Sequence, residues 1–385
     1  MLFRSTAIAV SVAFGAHVSA QRQGEGGSGA TTPAAVACSV AAAQAKAPSG
    51  TTITEAKVID ATGGQPRYCQ VDGRVAVPGN EVNFRVGLPE NWNGKYEAIG
   101  GGGWGGEIRV TGMAAALAEG YATSATDTGH KGGDATFAPG HPEKLIDYSY
   151  RAVHEMTLAA KAVINVRYGR APKFSYWNGC SYGGRQALEE AQRYPGDFDG
   201  ILAGAPANYH THLHSFDMKV ALVNQKDEAH LVPQSKLSVL HAAVLAACDS
   251  LDGVKDGLIA NPLKCKFDPA VLTCKGADAP DCLTAAQVET VVTMYAPAKM
   301  KDGTLVYPGM PMGSENGWSR LTTKGDPLGV WLGDYRYVLN EDASWDWRKF
   351  VLDRDVPAVD AKAPYLNAIN PDLAPFRDHG GKLLM

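Results

Sequence analysis

The chain has 385 residues, of which 45% are hydrophobic and 20% charged, and a formal net charge of −4. A balance this close to neutral gives no electrostatic case for nucleic acid or an anionic membrane as partner. No stretch reaches the roughly 18 apolar residues of a membrane-spanning helix, and the length is generous for one compact domain but short for three.

Residues 1–20 read as a secretory signal: Arg4 is the positive end, Ala7 to Ala16 the apolar run, and Val18-Ser19-Ala20 the small-x-small cleavage site. The mature protein is then expected to start near Gln21 and to be secreted or periplasmic. Residues 21–33 are rich in Gly, Ser and Thr and are expected to form a disordered spacer. Export places the seven cysteines in an oxidising compartment, where they should pair, yet seven is odd. Spacing suggests Cys248–Cys265 and Cys274–Cys282 as local bridges and Cys38–Cys69 as a staple near the N-terminus. Cys180 is left unpaired.

Val82, Phe84, Val86 and Leu88 alternate with polar neighbours, which predicts a half-buried strand. A turn over 89–94 leads to a further strand, Lys95 to Ile99, which opens into Gly100-Gly101-Gly102-Gly103-Trp104-Gly105-Gly106. Gly101, Gly103 and Gly106 fit G-x-G-x-x-G, with Asp127 about twenty residues on, as a dinucleotide site would have. Any glycine run fits that pattern easily, and an exported protein rarely meets a nicotinamide cofactor. The better reading is an oxyanion loop, whose bare amides would hold the negative charge of an ester-cleavage intermediate. A plain flexible loop is the simplest alternative.

A strand over Tyr121 to Thr126 ends in Asp127 and His130, read as groups that order their loop, since a catalytic His and acid would follow the nucleophile in this topology. Val153, Met156, Ala160, Val163 and Ile164 recur at three- and four-residue spacing and predict an amphipathic helix over 147–167. Residues 174–205 then carry the densest signal. A strand (Phe174 to Trp177) runs into Gly179-Cys180-Ser181-Tyr182-Gly183, followed by a helix (Arg185 to Tyr194) and a second buried strand (Gly200 to Ala203). This is G-x-S-x-G in strand–turn–helix context, a nucleophile elbow that predicts Ser181 as nucleophile.

After Pro206 the regular strand–helix alternation stops, and residues 208–365, with four of the cysteines, are predicted to form an inserted lid over the serine. A helix over 235–247 leads into Asp249, Asp252, Gly253, Val254, Asp256, Gly257 and Leu258. Three aspartates and two glycines in a disulfide-closed loop suit calcium, which takes six to eight oxygens. The spacing is not that of an EF-hand, and a solvated Asp/Gly turn is an equal reading. Gly380-Gly381-Lys382-Leu383-Leu384-Met385 reads as the start of a new buried strand, inside which the sequence stops.

Together these motifs resemble the tannase/feruloyl esterase family of secreted serine hydrolases, which includes mono(hydroxyethyl) terephthalate hydrolase-like enzymes. The resemblance runs from Cys38 to Met385 on the glycine loop 100–106, residues 125–130 and 151–155, the elbow 179–185, the 249–258 loop and the final Gly-Gly-Lys-Leu-Leu. It implies an α/β fold: an α/β-hydrolase core (34–207) interrupted by a lid (208–365), with residues 366–385 returning to a core that is incomplete at its C-terminal end. It implies a structural Ca2+ in the lid, held by carboxylates of Asp249, Asp252 and Asp256 and main-chain carbonyls of Val254 and Leu258, and it implies the three disulfides named above. The family triad is Ser, Asp and His, with a cysteine before the serine bridged to one after the histidine. Ser181 and Cys180 match the first half; the Asp and the His-Cys pair are expected beyond residue 385, and His379, with no cysteine after it, does not match.

The expected activity is hydrolysis of esters of aromatic acids, such as feruloyl or galloyl esters. The amides of Tyr182 and of Gly102 or Gly103 would hold the oxyanion, and lid aromatics would wall the acid pocket. Without the triad Asp and His the chain is expected to be nearly inactive. A catalytically silent secreted protein that captures phenolics or glycans is the alternative from another class. No nucleic-acid or membrane partner is expected.

Overall fold

The structure is a computed structural model that describes residues 36–385. The predicted signal peptide and spacer lie outside the described residues. An eight-stranded mixed sheet organises the fold. In chain order its members are β1 (Thr51–Ile59), β2 (Tyr68–Val77), β3 (Asn80–Pro89), β4 (Lys95–Ile99), β5 (Ala122–Thr126), β6 (Phe174–Cys180), β7 (Gly200–Gly204) and, after β8 (Ala298–Lys299) and β9 (Leu305–Tyr307) have paired apart, β10 (Lys382–Leu384). The spatial order is β1-β2-β3-β5-β4-β6-β7-β10. The first three strands form an antiparallel meander, and β3 also runs antiparallel to β5. From β5 onward every pairing is parallel. The order turns at β5-β4, and loops at the carboxyl ends of the strands beside such a reversal are where open α/β sheets hold ligands.

Pattern becomes packing most directly in β3, where Val82, Phe84, Val86 and Leu88 are all buried as the alternation predicts. The predicted 147–167 helix is longer than its stripe suggested. An α-helical turn (Pro142–Ile146) passes through a π-helical turn (Asp147–Arg151) into the helix Ala152–Tyr168, whose Val153, Met156, Ala160, Val163 and Ile164 are buried against the sheet. Gly169 ends it in the left-handed conformation, φ +68°. The strand predicted over Gly200 to Ala203 is half-buried rather than buried: Ile201 and Ala203 point inward, while Leu202 is 41% exposed. Parallel sheets are normally covered on both faces; here Glu97, Tyr176 and Leu202 line an open groove of about 380 Å³ beside β10.

Two apolar cores result. One is built from sheet residues and the long helix, joined by Ala368 and Phe376. The other gathers the helices His210–Asn224, Gln234–Cys248, Ala285–Tyr295 and Leu352–Lys362 with their connections, and it also takes in Trp104, Phe137, Tyr148 and Tyr182. The elbow and the glycine loop therefore lie where the two cores meet. Disulfides Cys38–Cys69, Cys248–Cys265 and Cys274–Cys282 are all formed, and Cys180 is free and exposed.

Candidate active site

β6 ends at Cys180, and the helix Tyr182–Arg193 begins two residues later. Only Ser181 makes the turn, and it does so at φ +62°, ψ −117°, a conformation that disfavours any side chain. Three backbone hydrogen bonds hold the strained residue: Ser181 N donates to Gly204 O at 2.9 Å, and Ser181 O accepts from Arg185 N at 3.0 Å and Ala207 N at 3.1 Å. Ser181 itself is exposed, and among the described residues its hydroxyl has no hydrogen-bond partner.

The flanking glycines are required by contact with backbone. A Cβ at Gly179 would lie 2.3 Å from Gly183 O, and one at Gly184 2.4 Å from Gly204 O. Gly100 belongs to the same arrangement: its Cβ would lie 2.8 Å from Gly183 Cα and 2.9 Å from Gly179 Cα. The carboxyl end of β4 thus lies directly on the elbow, which is what an oxyanion loop needs. Tyr182 opens the helix, so its amide is one of the unpaired donors of the first turn. Among the described residues the amides of Gly102, Gly103 and Tyr182 donate to no protein acceptor. Unpaired amides at a helix N-terminus beside a nucleophile suit a developing oxyanion.

Groups that the sequence left unassigned hold this loop. Gln186, just over one turn down the elbow helix from Ser181, accepts from Gly101 N at 2.9 Å. Tyr148 donates from its hydroxyl to Gly103 O at 2.8 Å and stacks on Tyr182 with ring centroids 4.2 Å apart. The π-helical turn that carries Tyr148 also leaves its carbonyl free to accept from the Tyr182 hydroxyl. Trp104 is fully buried and donates from Nε1 to Val330 O at 2.9 Å, which ties the loop to the second core. Arg185, fully buried, lies over the rings of Tyr182 and Tyr148 and donates to Leu366 O at 3.2 Å. A Gln or Tyr carries no spacing signature, so only the fold brings these together.

Most histidines among the described residues face other groups, while His141 is exposed and caps its helix with no side-chain hydrogen bond. His130 Nε2 donates to Trp104 O at 2.7 Å, its ring stacks on Phe137, and burial pushes its pKa down. Asp127 accepts from Asn83 and from the Gly129 amide, and burial pushes its carboxyl up. Both order the loop after β5. His154 pairs with Asp197, His212 with Asp360, His230 with Asp227, His241 with Glu315, and His210 and His214 face Asp334. His379 lies beside Gly196, at the amino end of β7, whereas Ser181 follows the carboxyl end of β6, across the sheet.

In the calcium-type loop, Asp249 is buried and accepts from the amides of Asp256 and Gly257. Asp252 and Asp256 are exposed, and each caps its own turn through the amides of Val254 and Leu258. Oxygen-only donors suit a hard cation. The three carboxylates do not, however, form one of the groups of ligand atoms lying within 4.8 Å of one another among the described residues.

A parallel sheet with a strained serine between strand and helix, set against a glycine loop, defines an α/β-hydrolase. The family described as tannase and feruloyl esterase matches residues 68–385, and the chain belongs to that family. It is 34% identical to an uncharacterized esterase of Xanthomonas campestris pv. campestris, over 92% of this chain and 64% of that protein. It is also 34% identical to a probable feruloyl esterase B-2 of Aspergillus terreus, over 88% of this chain and 66% of that protein. The chain thus spans just under two thirds of the length of these relatives. The crystal structure of feruloyl esterase B from Aspergillus oryzae superposes with a TM-score of 0.82 at 29% identity, covering 87% of this chain and 71% of that one. Tannin acyl hydrolase from Aspergillus niger shares the fold, with a TM-score of 0.73 at 22% identity over 92% of this chain and 74% of that one.

Proposed function

We propose that the protein is a serine carboxylic-ester hydrolase acting on esters of aromatic acids, feruloyl or galloyl esters foremost. The observation that carries this is the strained Ser181 at the elbow, with the unpaired Tyr182 amide next to it in the chain and the unpaired amides of Gly102 and Gly103 in the loop that packs on the elbow through Gly100 and Gly101. Ser181 Oγ would attack the ester carbonyl, the amides would hold the tetrahedral oxyanion, and loss of the alcohol would leave an acyl-enzyme for water to cleave. The relatives named as feruloyl esterases supply the substrate class.

A base must take the Ser181 proton, and every paired histidine among the described residues is turned to another group. Among the described residues no Asp–His pair is hydrogen-bonded to Ser181 Oγ. Without such a pair the hydroxyl remains a weak nucleophile, and loss of triad members lowers turnover by several orders of magnitude. Location in an oxidising compartment, secreted or periplasmic, is supported by the three disulfides. A calcium ion in the 249–258 loop would draw together the carboxylates of Asp249, Asp252 and Asp256 and the carbonyls of Val254 and Leu258, with a structural role.

The test is hydrolysis of a panel of feruloyl, galloyl and terephthalate monoesters by the 385-residue chain and its Ser181→Ala variant. Slow turnover that disappears in the variant supports the assignment. Turnover unchanged by Ser181→Ala contradicts it, and rates typical of a complete triad contradict the claim about the base. A parallel melting series with added Ca2+ should raise the transition temperature, and Asp249→Ala should abolish the rise.

A further inference from the structure

Behind the glycine loop lies a cluster that ester hydrolysis does not use. His210 and His214 are one turn apart on the helix His210–Asn224, a spacing that places both imidazoles on one face. Asp334, on the π-helical turn Asp334–Leu339, faces them. All three are buried, with exposures of 2%, 3% and 0%. His214 Nδ1 is 2.7 Å from Asp334 Oδ2, and His210 Nε2 is 3.2 Å from Asp334 Oδ1. One ligand-type atom from each residue lies within 4.8 Å of the other two.

The His210 contact is close without being a hydrogen bond. Neither nitrogen of His210 has a hydrogen-bond partner, and neither does Asp334 Oδ1. A buried imidazole and a buried carboxylate oxygen that stand 3.2 Å apart without a hydrogen bond have lost their water and leave bonding capacity unused. A cation accepting both lone pairs would satisfy them together.

We propose that His210 Nε2, His214 Nδ1 and Asp334 bind a divalent transition metal of the zinc type. Two imidazoles and a carboxylate are a donor set that zinc takes, whereas calcium and magnesium prefer oxygen alone. Ligand bonds near 2.1 Å in a tetrahedron place donors about 3.4 Å apart. The His210–Asp334 distance of 3.2 Å already approaches that value; the His214–Asp334 pair, at 2.7 Å, would open by about 0.7 Å. Binding takes His214 as the neutral Nε2–H tautomer: a neutral ring shifts its proton from Nδ1 to Nε2, and an imidazolium releases its Nδ1 proton to solvent. His210 Nδ1 has no acceptor, and the absence of such an outer partner typically weakens metal affinity by about 10- to 100-fold. The site also reaches the loop: the Trp104 ring stands edge-on to His210 at 5.2 Å, and its Nε1 bonds Val330, four residues before Asp334.

The experiment uses tag-free 385-residue protein, stripped with chelator and held in excess Ca2+ to occupy the Asp249–Leu258 loop, then titrated with Co2+ and Zn2+. One equivalent of Co2+ should develop the visible bands of a four-coordinate ion, and one equivalent of Zn2+ should displace it. His210→Ala removes an imidazole that makes no hydrogen bond, and should lower affinity by at least about 100-fold while near-ultraviolet circular dichroism stays unchanged. Asp334→Asn is the second variant, with the same expected loss. His230→Ala, which removes the His230 contacts with Asp227 and with Glu289, is the control and should leave the titration unchanged. Folded wild-type protein that develops no Co2+ bands, or equal affinity in wild type and His210→Ala, overturns the proposal. This readout does not depend on esterase activity, so either reading can fail alone.

Discussion

Around Ser181 the chain is held by backbone lying on backbone: at Gly100, Gly179 and Gly184 it packs so closely that a methyl group has no room. In residues 208–366 the same task falls to side chains and covalent bonds, with two disulfides, buried His–Asp contacts and the Glu315 carboxylate accepting from Tyr295, His241 and the Gly313 amide. The first arrangement holds Ser181 by close backbone contact and leaves little room for substitution at the glycines around it. The second tolerates sequence change but leaves polar groups in the interior whose satisfaction depends on distant partners. Trp104 and Tyr148 link the two regions.

Breaking that link should have the largest effect. Trp104→Ala removes a fully buried indole and its bond to Val330; chemical denaturation should show a loss of about 3–5 kcal/mol. Cutting Cys248–Cys265 in the double alanine variant frees a 17-residue separation and should cost about 3 kcal/mol. If the two regions unfold separately, that loss appears only in the transition reported by the tryptophans of residues 208–366. Gly179→Ala forces a Cβ onto the Gly183 carbonyl and should cost about 1–3 kcal/mol, at the upper end because backbone must move. Gly133→Ala, with nothing within 4 Å and no positive φ, is the matched control and should be neutral or slightly stabilising.

The smallest effect is a slope with pH. Glu190 is fully buried with both oxygens unpartnered, and burial, then the neighbouring Asp197 and Glu189, hold its carboxyl well above its ordinary range despite Lys161. The folded state therefore keeps a proton that the unfolded chain releases above about pH 4.3. A state that binds more protons loses stability as pH rises, so this contribution falls from about pH 4 upward. Glu190→Gln should flatten that part of the urea-midpoint profile and exceed the parent in stability at neutral pH.

How much of this was legible depends on how local the cause is. Glycine on both sides of Ser181 announces a turn that only glycine permits, and the alternation from Val82 to Leu88 announces which side chains go inward. Cysteine spacing led to all three bridges and to the free thiol. By contrast, β1 gives a broken pattern because its register shifts between Ile53 and Glu55. Gln186, Tyr148 and Trp104 support the glycine loop through partners up to 226 residues away, and nothing in their own neighbourhoods signals this. Leu202 was read as buried because parallel strands usually are; its exposure reflects what covers the sheet, which no local pattern encodes.

The central claim is that Ser181, and no other residue, is the nucleophile. Incubating the 385-residue chain with a fluorophosphonate probe, then mapping the adduct by peptide mass spectrometry, tests it most directly. A single adduct on the peptide carrying Ser181, formed slowly because no base activates the hydroxyl, absent from Ser181→Ala and slower still in Gly179→Ala, is the predicted result. An adduct that persists in Ser181→Ala, on Cys180 or at any other site, would contradict it.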